Sequence, residues 1–262
     1  MRRLFARLNR EDTIEPREFE SFAAALRDSD SYEDPRLIEV VKEKTLRYRE
    51  SLVQKPPVRT RQLVQNLFVL SYVEPQRAIS VLEVGGACGA SYFETEVMLP
   101  GRIRHWSIVE TPAMAAAGES LANLSFHSDI RSATDKLESR DLAIAQGALQ
   151  YAGDPLQTLA ELCALELSYI YVTRTAVADT QKPIFTSQVT DIAAHGPGRL
   201  PNAPNGTSSQ PMTLVSFEAL TSALPSTYEI IFNFEEGEER IVSVGGRPVT
   251  LRDIGFLAHL TR

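Results

Sequence analysis

Short apolar runs alternate with amphipathic segments from residue 79 to the end of the chain. The runs have the length of strands, and the segments between them repeat apolar residues at helical spacing. Strands are predicted at about 79–84, 105–109, 124–127, 141–145, 168–173, 228–234 and 254–260, and helices at about 91–98, 112–121, 155–166 and 216–223. This alternation predicts a mostly parallel α/β sheet with right-handed crossovers, and the last two strands suit an antiparallel hairpin.

The first 73 residues carry helical patterns and no strand pattern. Glu15-Pro16 predicts the start of one helix, and Asp34-Pro35 combines an N-cap acid with a proline at the first helical position. A third helix with Leu63, Leu67 and Leu70 on one face follows Pro56-Pro57. The predicted organisation is a helical extension over 1–73 and an α/β domain over 74–262.

The strand at 79–84 ends in a glycine-rich turn, in which Glu83 precedes Gly85, Gly86 and Gly89. A buried strand that leads through glycines into a helix can bring backbone N–H groups close to a nucleotide-like ligand. A strand–helix turn without a ligand can use the same glycines, so the loop alone leaves both interpretations open.

The second strand of this unit ends at Glu110, which follows Gly85 by 25 residues. An acid at about this distance binds the ribose of a nucleotide in a βαβ unit, because its two oxygens can accept from both hydroxyls. A nicotinamide-binding loop would read Gly-x-Gly-x-x-Gly. Here Glu83 stands two residues before adjacent glycines, closer to the Glu/Asp-x-Gly-x-x-x-Gly loop of S-adenosylmethionine (SAM) enzymes.

From about Val81 to Arg174 the chain resembles the class I SAM-dependent methyltransferases, and within them a bacterial group with a Gly-Gly-x-x-Gly-x-Ser-Tyr-Phe loop. The matching residues are Gly85, Gly86, Gly89, Ser91, Tyr92, Phe93, Trp106, Val109, Glu110, Pro112, Leu149, Gln150, Tyr151, Asp154, Pro155, Arg174 and Thr175. The chain departs from the pattern at Ala87 and Cys88, where the family favours glycine and an aliphatic residue.

The resemblance implies a Rossmann-like methyltransferase sheet of seven strands with an antiparallel C-terminal hairpin. It also implies SAM as the cofactor and S-adenosylhomocysteine as its product. The residues expected to bind the cofactor are Glu83, Gly85, Gly86, Gly89, Tyr92, Glu110, Asp129, Gly147 and Gln150. Asp129 would accept from the adenine amino group, although an exposed polar turn residue is an equally simple interpretation.

Methyl transfer from a sulfonium requires alignment of the acceptor with the methyl group, and an oxygen acceptor also gains from a general base. The candidates on the acceptor side are His195, Tyr151 and Arg174, of which Arg174 would suit an anionic group. For His195 itself, a solvated loop histidine is the favoured interpretation. The sequence has no cluster with metal-ligand spacing, so no metal is expected.

The leading hypothesis is a methyltransferase that acts on a small molecule or saccharide, most readily at oxygen. The alternatives are a methyltransferase-like module without catalysis and, less favoured, a nicotinamide oxidoreductase. The extension 1–73 and the segment 185–211 are expected to cover the cofactor as a lid. The extension could instead build a homodimer contact or simply pack on the sheet.

Composition narrows the choice of partner and compartment. The 262 residues carry a net charge of −7, which argues against nucleic acid as the main partner. No stretch is apolar over the length of a membrane helix, and Cys88 and Cys163 suggest a reduced pair. A soluble, cytoplasmic protein is therefore expected. The glycine- and proline-rich segment 195–211 predicts a long irregular loop.

Overall fold

The computed structural model describes residues 16–54 and 61–261. Its strands are β1 (Ile79–Val84), β2 (Ile103–Val109), β3 (Leu124–His127), β4 (Leu142–Gln146), β5 (Tyr169–Ala178), β6 (Ile184–Asp191), β7 (Thr207–Leu214), β8 (Tyr228–Glu235), β9 (Arg240–Val244) and β10 (Arg247–Leu260). Its α-helices are α1 (Phe22–Arg27), α2 (Pro35–Gln54), α3 (Arg61–Tyr72), α4 (Ala90–Met98), α5 (Pro112–Ala117), α6 (Ile130–Thr134), α7 (Pro155–Ala164) and α8 (Phe217–Ser222). Glu15, Pro56 and Pro57, which framed two predicted helix boundaries, lie outside the described residues.

The main sheet runs in the order β3-β2-β1-β4-β5-β10-β8, and β9 pairs with β10 beside this path. The pairs from β3 to β5 are parallel. The pairs of β10 with β5, β8 and β9 are antiparallel. This is the sheet of a Rossmann-like methyltransferase fold, so the predicted fold class is confirmed, with the short β9 as an addition.

Helices cover both faces of this sheet. On one face, Leu82 and Val172 pack with Leu159 of α7 and Leu220 of α8 in a single apolar cluster. On the other face, a second cluster joins strand residues such as Ile144 to α3 and α4. Alternate residues of each parallel strand therefore point into different cores, which explains why these strands are apolar almost throughout.

The N-terminal extension has a different start from the one predicted. Phe19 forms an isolated β-bridge with Phe185, and the first helix begins only at Phe22, where the Ser21 side chain accepts from the Ala24 amide. The predicted helix start at Glu15-Pro16 is therefore wrong for its described part, because pairing with β6 keeps this segment extended. The Asp34-Pro35 prediction is confirmed, and Asp34 Oδ1 accepts from the Arg36 amide at 2.9 Å.

The segment predicted as a long irregular loop, 195–211, is also corrected. Its last residues belong to β7, which pairs with β6 in a separate two-stranded sheet. The pattern hid these strands because they are rich in serine, threonine and glutamine, with a proline at 211. The predicted helix at 112–121 ends early at Ala117, because Gly118 adopts an extended conformation that ends the helix.

Candidate cofactor and acceptor site

The loops that follow β1, β2 and β4 meet at one edge of the main sheet, beside the middle of β5. The Gly85 amide donates to Val109 O at 2.9 Å, and the Gly147 amide donates to Thr173 O at 2.8 Å. A Cβ on Gly85 would lie 2.5 Å from Ala148 Cβ, so the loops after β1 and β4 are in close contact. The sheet order reverses between β1 and β4, and α/β proteins bind ligands at such a point.

The backbone of the glycine loop turns through left-handed conformations at Gly85, Ala87 and Gly89, with φ values of 75°, 48° and 88°. Gly89 is the N-cap of α4, and no side chain accepts a hydrogen bond at this cap. The first amides of α4 are therefore available to a polar ligand. Ala87 stands where the family favours glycine, and an alanine in this conformation costs about 1–2 kcal/mol.

Glu83 supports the glycine loop from below. Its side chain is buried (1% exposed), and its Oε2 accepts from Trp106 Nε1 at 2.9 Å. A Cβ on Gly86 would lie 2.6 Å from the same Oε2. Burial raises the pKa of Glu83 to about 7, against hydrogen bonds from Trp106 and Ser91 that lower it. The contacts of Glu83 are thus with the loop and the core, and its predicted contact with the cofactor stays a prediction.

Glu110 connects the loops after β1 and β2. Its Oε1 accepts from the Ala87 amide at 2.7 Å, and its Oε2 accepts from the Thr111 amide at 3.1 Å. Burial raises the pKa of this carboxyl, while the two amide hydrogen bonds lower it. Each carboxylate oxygen has a second lone pair, so Glu110 can hold the loop and still accept from a ligand hydroxyl.

Two other predicted cofactor residues have their own protein partners. Tyr92 is buried beside Trp106 and donates from its hydroxyl to Asn123 Oδ1 at 2.6 Å. The predicted contact of Tyr92 with the cofactor stays a prediction. Asp129 is exposed at the end of β3 and caps α6, where its Oδ1 accepts from the Ser132 amide at 2.9 Å.

Gly147 and Gln150, which follow β4, come together with Arg174, which lies within β5 just beyond its last pair with β4. Gly147 has a φ of 61°, and an added Cβ would lie 3.7 Å from Arg174 Cβ. Gln150 Nε2 donates to Arg174 O at 3.3 Å. Gln150 Oε1 is buried without a hydrogen-bond partner among the described residues, which leaves an acceptor for a ligand donor.

Arg174 itself adopts a left-handed conformation, with a φ of 53°. Glu236 stabilises it, because its carboxylate accepts from the Arg174 amide and from Thr173 Oγ1. The acidic stretch that contains Glu236 was visible in the sequence, but its pairing with β5 depends on how β8 and β10 close the sheet. No sequence signal could have assigned this contact.

Tyr151 contacts a residue that the sequence did not single out. The rings of Tyr32 and Tyr151 lie edge to face with centroids 5.1 Å apart. Burial raises the pKa of Tyr32, and its neighbours Tyr151 and Glu110 raise it further. Tyr32 precedes α2, so the extension contributes a phenol between Glu110 and the acceptor-side residues. The Tyr151 hydroxyl also donates to Gln188 on β6.

His195 lies on the same side, 6.2 Å from the Tyr32 ring by centroids, and its Nε2 is 2.6 Å from Thr190 Oγ1. Burial lowers the pKa of His195, and the charge of Lys44 lowers it further. The ring is therefore neutral near neutral pH, as a proton acceptor must be. The Tyr32 ring therefore lies edge-on to both Tyr151 and His195 and connects these two predicted acceptor-side residues.

Contacts between the extension and the β6–β7 hairpin enclose this side of the edge. Lys44 is buried on α2, and its Nζ donates to Ala193 O at 3.0 Å and to His195 O at 2.5 Å. The Ser31 amide donates to Ser209 O at 2.9 Å. These contacts give the extension a defined position over the predicted acceptor residues.

Within 16–54 and 61–261, no three histidine, cysteine or acidic side chains are grouped so that they could hold a metal ion. None of the helices in these ranges combines the length and apolar character needed to cross a membrane.

Neither the known family models nor the curated proteins match this chain. Among solved structures it is similar to a SAM-dependent methyltransferase from Clostridium acetobutylicum, with 10% identity and a TM-score of 0.48 over 84% of this chain and 99% of that one. It is also similar to the sugar N-methyltransferase KedS8 from a Streptoalloteichus species, with 17% identity and a TM-score of 0.45 over 76% and 87% of the two chains. The [4+2]-cyclase SpnF matches with 12% identity and a TM-score of 0.45 over 89% and 97%. Because one fold hosts many activities, function has to be argued from the site.

Proposed function

We propose that this protein is a SAM-dependent methyltransferase that acts on a small molecule or saccharide, most readily at oxygen. The observation that carries the proposal is the convergence of the glycine loop, Glu110 and the Gly147 turn where the sheet order reverses. The strands beyond β5 are antiparallel, so the parallel half that begins with β4 and β5 is not completed as it is in a dinucleotide-binding fold. This difference favours SAM over a nicotinamide cofactor.

The donors and acceptors at this edge fit such a cofactor. The uncapped first turn of α4 supplies amides, and Glu110 supplies carboxylate lone pairs for the ribose hydroxyls. Asp129 is exposed at the end of β3, at the position expected for the adenine amino group. When bound, SAM supplies a methyl group that is already activated on a sulfonium.

The acceptor side would then consist of Tyr32, Tyr151, Arg174 and His195. A neutral His195 could accept the proton of an acceptor hydroxyl, and its hydrogen bond to Thr190 would fix the ring. The extension and the β6–β7 hairpin act in this proposal as a lid, since Lys44 already connects them. Closure would exclude water and align the acceptor.

Calorimetry with SAM, S-adenosylhomocysteine and NAD tests the cofactor assignment. We expect micromolar binding of the first two and none of NAD. Glu110→Ala should weaken binding by roughly 10- to 150-fold, because the loss of a charged acceptor costs about 1.5–3 kcal/mol. Glu138→Ala, an exposed acid before β4, is the matched control and should change nothing.

Catalysis is tested separately, by mass spectrometry of S-adenosylhomocysteine formed with a panel of hydroxylated acceptors. Formation of the product with at least one acceptor supports the enzyme. Binding of SAM without turnover on any acceptor would instead favour the non-catalytic module. Binding of NAD in place of SAM would refute the cofactor assignment itself.

A further inference from the structure

Arg174 is an arginine whose charge the protein leaves unneutralised. On the neighbouring strands, Arg240 pairs with Asp253 at 2.8 Å, and Arg252 pairs with Asp179 at 3.0 Å. Arg174 forms no ion pair with any carboxylate of the described residues. Its guanidinium has only a long contact, 3.4 Å from Nη1 to Gln62 Oε1. A guanidinium that is exposed and unpaired at a ligand edge can bind an anion.

The backbone at Arg174 is held so that this side chain lies over the site. Left-handed conformations are sparsely populated by residues other than glycine, and they persist where the surroundings determine them. Here Glu236 accepts from the Arg174 amide, while Gln150 donates to its carbonyl oxygen at 3.3 Å. The guanidinium carbon would lie 3.9 Å from a Cβ on Gly147, so the side chain crosses the turn after β4.

The surroundings of Arg174 distinguish an acceptor site from a general surface. Burial raises the pKa of Tyr32 and of Tyr151, and the positive charge of the nearby Arg174 opposes this rise at both phenols. The buried Gln150 (6% exposed) has an unpaired Oε1 beside the same residue. An aromatic pair, an amide acceptor and a guanidinium together suit a hydroxylated molecule that carries an anionic group.

We propose that Arg174 binds a carboxylate or phosphate group of the methyl acceptor, so that the substrate is an anionic hydroxylated small molecule. This inference rests on the proposed methyltransferase function. The planar guanidinium can donate two parallel hydrogen bonds to either anion. The other source of a carboxylate is the methionine part of SAM, and the experiment separates the two.

The test measures binding by ligand-observed NMR with D-glucuronate and D-glucose 6-phosphate, with D-glucose as the neutral counterpart. We expect the wild-type protein to bind at least one anionic probe at least tenfold more tightly than glucose. Arg174→Met should abolish this preference, and Arg174→Lys should retain part of it. Arg140→Met removes an exposed arginine before β4, at the opposite end of that strand, and should have no effect.

S-adenosylhomocysteine affinity is measured on the same variants, so that a failure of the cofactor assignment is seen independently of the anion preference. Unchanged affinity in Arg174→Met, together with lost anion preference, supports the proposal. A tenfold or greater loss of S-adenosylhomocysteine affinity would assign the guanidinium to the cofactor and overturn it. Equal binding of glucose and both anions by the wild-type protein would also overturn it.

Thermal denaturation of Arg174→Met and Arg174→Gly completes the design. Glycine relieves the left-handed backbone, and methionine keeps the strain that arginine already has, so neither variant should unfold at a lower temperature than the wild type. A marked loss of thermal stability in both variants would show that Arg174 serves the fold, which contradicts the proposal.

Discussion

Ionisation of Glu83 should make the stability of this protein fall as the pH rises. The carboxyl is fully buried beneath Gly86, and burial raises its pKa from 4.5 to about 7. The folded state therefore holds this proton more tightly than the unfolded chain does. The stability gained from the protonated form is complete below pH 4.5 and is lost as the pH rises through about 7.

The magnitude follows from the two pKa values. A rise from 4.5 to about 7 corresponds to about 3 kcal/mol between the protonated and ionised forms. Glu83→Gln keeps an oxygen that can accept from Trp106 Nε1 and removes the ionisation. The difference in the free energy of unfolding between Glu83→Gln and the wild type should therefore shift in favour of the variant by about 2–3 kcal/mol from pH 5 to pH 8.

Urea denaturation of both proteins at several pH values in this range gives the free energy of unfolding directly. Glu39→Gln makes the same change at an exposed position of α2. The pH dependence of its free energy of unfolding should be parallel to that of the wild type. If the curves of Glu83→Gln and the wild type are also parallel, Glu83 is already ionised in the folded protein, and the argument from burial is wrong.

Three further predictions concern the loop, a buried thiol and the extension. In urea denaturation, Gly85→Ala should lower the free energy of unfolding by about 1–3 kcal/mol more than Gly101→Ala does. Both glycines have a φ of 75°, but only Gly85 lies against another loop. Equal losses would contradict the steric argument. Burial raises the pKa of the Cys88 thiol to about 11. Alkylation of Cys88 should therefore be far slower in the native protein than in the protein unfolded by urea. Equal rates would refute this prediction. Lys44→Met removes two charged hydrogen bonds to backbone carbonyls. It should therefore lower the free energy of unfolding by about 2–3 kcal/mol and make amide hydrogen exchange around His195 faster. Unchanged exchange there would show that Lys44 does not hold this turn.

The parallel half of the fold could be predicted because its strands carry their own signal. The run from Ile79 to Val84 is apolar, short and followed by glycines, and its predicted bounds agree with β1. The hairpin of β6 and β7 could not be predicted, because several of its buried positions are polar and so give no apolar alternation, namely Thr186, Ser208, Gln210 and Thr213. Its strands exist through pairing with each other rather than through a pattern along the chain.

The residues of the candidate site could likewise be predicted only where a local pattern along the chain marks them. Glu110 follows the second strand at a characteristic distance, and it does meet the glycine loop. Sequence spacing could not separate Glu83, which supports the loop from the core, from a residue that faces a ligand. Tyr32 and Glu236 reach the site only through long-range packing, which no local pattern encodes.

The contacts of the extension also bear on the order in which the chain folds. Glu18 pairs with Arg247 across 229 positions, and Lys44 reaches Ala193 across 149. During synthesis the extension leaves the ribosome before Ala193 and Arg247 are made, so Lys44 and Glu18 can form these contacts only later. Contacts of such separation form late, because the loop that they close must first be ordered. The parallel strands can therefore assemble first, and the contact of Glu18 with Arg247 forms only after β10 has been synthesised.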